Sequence, residues 1–315
     1  MMLEIVLSIL GGLALFLFAV NNLSETIRDL VGQRSEKWVL RFTKNLFTAI
    51  ITGAVVTTLL DSSSATIIIT IVMVNAGLLT FRQAIGIVLG SNIGTTVSSQ
   101  IIAMDVGKYS PVFLILGLIM VMVSKTKNMS SIGKSILYFG ILFFGLFTME
   151  RAVEPLKDDP LFFEWMERMK NPLMGTLVGA LVTLIIQSSS ATVGISIVLV
   201  KKGILSLGAG IAVMMGAELG TVSDTLLATI KGSRQALKTG LFHLIFNLIS
   251  IIVGFMLFYP FQHLVEWVSN GASAERALAN AHMLFNIMGV LLFVWFVPFF
   301  EKLLNKMLPD KLVVA

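Results

Sequence analysis

The chain contains no cysteine, which excludes disulfides, thiolate metal sites and cysteine nucleophiles. Histidine is nearly as scarce: His243, His263 and His282 are the only three in 315 residues, which disfavours a structural zinc site. Charge is sparse as well, since Asp, Glu, Lys and Arg make up 13% of the chain where a soluble domain carries roughly a quarter. Apolar residues take their place, at 56% of the chain and a mean hydropathy of +0.91. Continuous apolar runs, such as 109–123 and 237–260, point to membrane helices and not to the weak alternation of an outer-membrane barrel. The expected fold class is therefore an all-α integral membrane protein, multi-pass in the cell (inner) membrane. The net charge of +5 requires no nucleic-acid partner, because basic loops on one membrane face account for it.

The first apolar run, Ile5 to Val20, lacks the marks of a cleaved signal. It carries Glu4 where a basic leader would be, and it ends in Asn21-Asn22 without a small-x-small site. It reads as a retained helix. The longest polar connections, 21–44 and 150–171, leave no room for a soluble domain.

An internal repeat organises the rest. "LLDSSSATIII" at 59–69 returns as "IIQSSSATVGI" at 185–195, an offset of 126 from Asp61 to Gln187. The same offset pairs Asn45 with Asn171, Gly53 with Gly179, Thr57 with Thr183 and Gly77 with Gly203. It also aligns "GSNIGTT" at 90–96 with "GAELGTV" at 216–222. The predicted units are 1–127 with a hairpin at 45–79, and 128–258 with a hairpin at 171–205. A further transmembrane helix and tail follow at 259–315. Each arm flanking the first serine triplet, 45–60 and 64–79, has 16 residues. That is roughly 24 Å of helix, against about 30 Å of hydrocarbon. A re-entrant hairpin is favoured over two full crossings. Three crossings plus a hairpin make each unit odd, so the second unit inserts inverted, as in secondary transporters. Fifteen Lys and Arg fall on one face, among them Arg34, Lys37, Lys231 and Lys311, against eight on the other, which puts the richer face in the cytoplasm.

At a hairpin tip the backbone leaves the helix, and the helix that restarts offers free N–H groups and a positive dipole end. Serine caps such a terminus and adds a hydroxyl donor. Ser62, Ser63, Ser64, Ser188, Ser189 and Ser190 are thus candidate oxyanion ligands. Serine packing between membrane helices is the plain alternative for one triplet, and two copies argue against it. No Lys or Arg occurs in 45–81, 83–107, 171–200 or 203–230. Helix ends supply only about half a charge each, too little for a dianion, so the missing charge must arrive as bound cations. Asp61 adds to that need, because a carboxylate about 4 Å from an anion repels it by roughly 4 kcal/mol at an effective dielectric of 20. Repeat one pairs Asp61 with Asn92, and repeat two pairs Gln187 with Glu218. Each repeat then keeps one acid and one amide, and the expectation is one cation per carboxylate. Asp224 is either another cation ligand or a residue near a helix end facing water. "HLIFN" at 243–247 and "HMLFN" at 282–286 place two histidines in membrane helices, where hydrogen bonding at helix contacts is the expected role.

These residues resemble the type II sodium-dependent phosphate cotransporter family, whose signature is a QSSS motif in each of two inverted repeats, followed by GSNIGTT-like sequence. "QSSSAT" at 187–192 and "GSNIGTT" at 90–96 match directly, while "DSSSAT" at 61–66 and "GAELGT" at 216–221 match with one or two changes. The resemblance covers roughly residues 5–255. It implies that Ser62, Ser63, Ser188 and Ser189 contact phosphate, and that Gln187, Ser188, Thr221 and their first-repeat counterparts help bind sodium. Asp61, Thr66, Asn92, Thr95, Thr96, Gln187, Ser188, Thr192, Glu218 and Thr221 form the full candidate Na+ set. Asp61 and Glu218 depart from the family pattern. Sodium serves as coupling ion, no other cofactor is expected, and a homodimer is compatible with the chain. Some bacterial members add a C-terminal regulatory domain, and none is expected after Ala315. Proton coupling or another oxyanion, arsenate or sulfate, is the alternative within transport. An intramembrane serine hydrolase is remote, since no GxSxG elbow is present.

Overall fold

In hydrocarbon every backbone polar group must be satisfied within the protein, and a helix does so within its own segment. The computed structural model describes residues 2–31, 39, 41–104, 106–230 and 232–309, and every regular element among them is helical. Arg34, Lys37, Lys231 and Lys311, which enter the charge count above, lie outside the described residues.

The chain opens with α1 (Met2–Val31) and two short helices, α2 (Leu46–Leu60) and α3 (Ser63–Asn75). Then come α4 (Phe81–Ile102), α5 (Ser110–Val123) and α6 (Lys127–Val153). A nine-residue helix, α7 (Pro160–Arg168), occupies the connection that the sequence presents as plain loop. Asp159 caps it, accepting from the Phe162 N–H at 2.9 Å, and Pro160 presets its first turn. Short helices return as α8 (Pro172–Ile186) and α9 (Ser189–Lys201), followed by α10 (Leu207–Gly220), α11 (Val222–Thr229) and α12 (Arg234–Met256). Beyond residue 258 there are three helices where one was expected: α13 (Phe258–Val268), α14 (Ala274–Val294) and α15 (Val297–Met307). A turn with Gly271 at φ 79° parts the first two. Pro298 has no N–H for the residue-294 carbonyl, so the chain breaks before α15.

Six helical stretches are long and apolar enough to cross a membrane: 3–27, 81–102, 127–156, 207–229, 234–256 and 274–294. The paired helices fall short, with 15 residues in α2 and α8 and 13 in α3 and α9. Those lengths are about 23 Å and 20 Å, as the arm lengths predict. α5 is also short at 14 residues, where the sequence reading expects a full crossing; Pro111 starts it and the polar 124–127 stretch ends it.

Glycine sets the closest contacts. A methyl on Gly53 would meet the backbone of Ile87, one on Gly90 the Ile50 carbonyl, and one on Gly94 the Ala54 carbonyl and the Thr57 side chain. Gly86 on Leu46 and Ala49, Gly90 on Ile50 and Gly94 on Ala54 advance together along both helices, so α2 and α4 run parallel and α3 is the return. The same contacts recur 126 residues on, with Gly179 on Val213, Gly216 on Thr176, and Gly220 on Ala180 and Thr183. By contrast α1 and α6 are antiparallel: Gly12 meets Gly145 and Met149, and Phe18 meets Tyr138. The α4 span and the α10–α11 span are the innermost, with 72% and 67% of their membrane-length windows buried against 22% for α1.

Candidate ion-binding site

Each short-helix pair turns on two residues. Asp61 ends α2 and Gln187 ends α8 in the left-handed region, at φ 50° and 58°. Among the described residues they are the only non-glycines so placed. Glycine or asparagine usually takes that position, and other side chains there cost about 1–3 kcal/mol. A carboxylate and a carboxamide held against that cost point to side chains that are used.

Ser62 and Ser188 follow in extended backbone as N-caps of α3 and α9. Their hydroxyl oxygens accept from the N–H groups of Ala65 (3.1 Å) and Ala191 (3.2 Å). The Thr66 and Thr192 N–H groups donate to the Ser62 and Ser188 carbonyls, both at 3.2 Å. By helix geometry the N–H groups of Ser63, Ser64, Ser189 and Ser190 have no intrahelical acceptor. The positive dipole ends sit at the same two points.

Both turns face one cavity. It has a volume of about 360 Å³ and is walled by Asp61 and Ser62 from one turn and Gln187 and Ser188 from the other. Asn21, Ser24, Glu25 and Asp29 of α1 complete its polar wall. A smaller cavity of about 100 Å³ holds Asp61, Ser98 and Ser190 on its lining, so the two halves meet there as well. Ser98 donates to Asp61 Oδ1. Ser64 donates across the halves to Asp224 Oδ2 at 3.3 Å.

Of the six candidate serines, Ser62, Ser188 and Ser190 line the cavities, Ser64 binds Asp224, and Ser63 and Ser189 are buried. Thr66 and Thr192 hold the arms together, accepting from Thr57 (2.9 Å) and Thr183 (2.7 Å). Asn92, Thr95, Thr96 and Thr221 are buried outside the walls of both cavities. Each donates to a helix carbonyl, of Val88, Ser91, Ile93 and Glu218 respectively, which leaves its side-chain oxygen with lone pairs.

Glu218 is placed differently. Its Oε1 lies 2.6 Å from His282 Nε2 and 3.3 Å from Asn286 Nδ2. His282 Nδ1 is in turn 2.6 Å from Ser99 Oγ, so one cluster joins α10, α14 and α4. His243 bonds Thr225 through Nδ1 at 2.8 Å and Asn247 through Nε2 at 3.0 Å. Both histidines are buried and hydrogen-bonded at helix contacts, the role expected of them.

The roles of Ser98, of the Ser64–Asp224 contact and of the α1 wall emerge in three dimensions. A signal existed for the wall: Asn21, Glu25 and Asp29 recur every four residues, one polar stripe on an apolar helix.

Residues 15–151 and 160–294 match the family described as Na+/Pi-cotransporter. YqeW of Bacillus subtilis (strain 168), named as uncharacterized, is 29% identical over 310 residues, 98% of this chain and 99% of its own. YjbB of Escherichia coli (strain K12), provisionally named for inorganic phosphate export, is 25% identical over 294 residues, 92% of this chain and 53% of YjbB. Sodium-dependent phosphate transport protein 2B of Homo sapiens is 32% identical over 133 residues, 39% of this chain and 19% of the human protein. The chain thus spans about half of YjbB and about a fifth of the human protein. No solved structure matches it. The family match takes in both Ser-triplet turns and the glycine-bearing helices after them: the chain belongs to the Na+/Pi-cotransporter family.

Proposed function

We propose that this protein is a multi-pass carrier of the cell (inner) membrane that moves inorganic phosphate together with sodium by alternating access. The observation that carries the reading is the shared cavity: two helix N-termini, each behind a left-handed acid or amide, open onto one space. The segments that bear them, 45–81 and 171–200, contain no Lys or Arg. Positive charge for an oxyanion therefore comes in part from the co-bound ions.

In this reading the tip serines, Ser62 to Ser64 and Ser188 to Ser190, and the adjoining N–H groups hold phosphate. Asp61 and Gln187 are the first ligands of the coupling cations. Oxygens of Thr66, Asn92, Thr95 and Thr96 in one half, and of Ser188, Thr192 and Thr221 in the other, complete the shells as the halves move. The short helix pairs are re-entrant hairpins within two inverted repeats. Their length below a full span, the parallel run of α2 with α4 and the antiparallel run of α1 with α6 all support this.

Two sodium ions with a phosphate dianion form a neutral load, and a tenfold sodium gradient then supplies about 2.8 kcal/mol, roughly hundredfold accumulation. A third ion adds about 3.7 kcal/mol at 100 mV and makes the cycle voltage-sensitive. The same cycle runs outward when the gradients favour it, and the provisional name of YjbB supports export as a second reading. Radiolabelled phosphate flux in proteoliposomes, with sodium gradients imposed in each direction, tests both. Sodium-dependent flux is expected, and flux that follows a proton gradient without sodium overturns the sodium reading.

A further inference from the structure

The two acids of the repeated pattern have opposite surroundings. Asp61 stands on the cavity wall with one hydroxyl partner, Ser98. Glu218 is 3% exposed, and its Oε1 already meets two nitrogens, His282 Nε2 at 2.6 Å and Asn286 Nδ2 at 3.3 Å. A hard cation needs a carboxylate oxygen at about 2.3–2.6 Å with its lone pairs free to point at the ion. Here an imidazole and an amide fill that space. The ring is held from behind by Ser99 Oγ, 2.6 Å from Nδ1, and is itself fully buried.

His282 comes from α14, beyond the stretch 171–222 that repeats 45–96 at the 126-residue offset. His243, in the matching "HLIFN" stretch, shows what the histidine does with no carboxylate in hydrogen-bond reach. It binds Thr225, which stands at the position equivalent to Ser99 (99 plus 126 is 225), and then Asn247. The hydroxyl contact is thus common to both histidines, and the carboxylate contact belongs to His282.

We infer that His282, assisted by Asn286, takes the place a coupling cation would hold at Glu218, leaving the Gln187 site untouched. It occupies Oε1 of Glu218, so this acid is closed to a cation, and the carrier moves one cation fewer per phosphate than it would with Glu218 open. The inference rests on the phosphate-carrier reading above and specifies its stoichiometry. It narrows the expectation of one cation per carboxylate to Asp61.

The test is the sodium-to-phosphate ratio in proteoliposomes, from paired labelled fluxes. His282→Ala is expected to raise the ratio by one, and adding E218Q to it is expected to restore the wild-type ratio. An unchanged ratio in His282→Ala with flux retained overturns the inference, as does a gain that persists in the double variant. Should His282→Ala not fold, infrared difference spectra on sodium addition decide. The sodium-induced carboxylate band of the wild-type protein is expected to be unchanged in E218Q, and a component lost there overturns the inference. Wild-type protein without sodium-dependent phosphate flux overturns the parent reading too, and is distinguishable because it needs no variant.

Discussion

The helices α4 and α10 descend from one sequence pattern and have the same glycine contacts, yet only the first is continuous. α4 runs unbroken from Phe81 to Ile102 through Asn92 and Thr95. In the second half α10 stops at Gly220 and α11 begins at Val222, with the break at Thr221. The Glu218 carbonyl, which in a regular helix accepts from residue 222, receives the Thr221 hydroxyl (2.9 Å) and Asn247 Nδ2 (3.1 Å). Asn92, at the equivalent site, spends its amide on Val88 of its own helix at 2.8 Å. Polar side chains of α12 and α14 therefore hold the second half by both its backbone and its acid. The first half keeps its acid, Asp61, at the cavity. Duplicated sequence gives duplicated packing here, and the chemistry differs where neighbours outside the matching stretches 45–96 and 171–222 reach in.

The packing side of that comparison predicts the largest effects. In G90A the new methyl overlaps the Ile50 carbonyl, and in G216A it overlaps the Thr176 carbonyl. Both obstacles are backbone, so α2 must part from α4, and α8 from α10. Overpacking of this kind costs about 1–3 kcal/mol, and the rigid partners put these two at the upper end. Thermal unfolding in detergent is expected to fall by the same amount in both variants. G11A, where nothing lies within 4 Å, is the control without a clash and is expected to gain about 0.5–1 kcal/mol from the helix preference of alanine. A clearly smaller loss in G216A would show that α12 and α14 brace the second half beyond what the shared contacts provide.

A middle-sized effect belongs to the two caps. S62A and S188A each remove one helix N-cap, worth about 1 kcal/mol, along with one hydroxyl beside the cavity. Loss of a charge-assisted bond to an oxyanion, about 1.5–3 kcal/mol, raises the phosphate concentration for half-maximal flux by about tenfold or more. If both tips touch the anion, the two variants weaken it alike. A large effect in one and none in the other would mean that phosphate rests on a single tip.

Much of this was legible from the chain alone, for a physical reason. Apolar runs without charge must be helices in lipid, and a constant offset of 126 aligns the Asp61 and Gln187 turns without any coordinates. The short arms likewise follow from counting residues against bilayer thickness. What escaped is whatever depends on a partner chosen in space. Glu218 and His282 lie 64 residues apart, and no spacing rule announces their bond. Asn92 and Glu218 look equivalent by register, yet one serves its own helix and the other a neighbour. The helices α7, α13 and α15 leave no mark in the chain, because short amphipathic stretches such as Pro160–Arg168 carry too few residues for a membrane-length signal.

The smallest effect separates the two tips most finely. Asp61→Gly and Gln187→Gly both place glycine where the backbone is left-handed, at φ 50° and 58°. Relief of strain gains about 1–3 kcal/mol, while the freer unfolded chain costs about 0.5–1 kcal/mol. For Gln187→Gly the balance is a stabilisation of about 1 kcal/mol. For Asp61→Gly the bond from Ser98 is lost too, worth about 1 kcal/mol, so the net change is near zero. Unfolding temperatures should therefore rise for the second-half variant and stay level for the first. Sodium-dependent flux should drop in both. A tip side chain that adds nothing to stability and is still required for flux acts on the transported ions. If Asp61→Gly instead lowers the unfolding temperature by several degrees, its carboxylate holds the fold together through Ser98, and the case for a cation at Asp61 loses its main support.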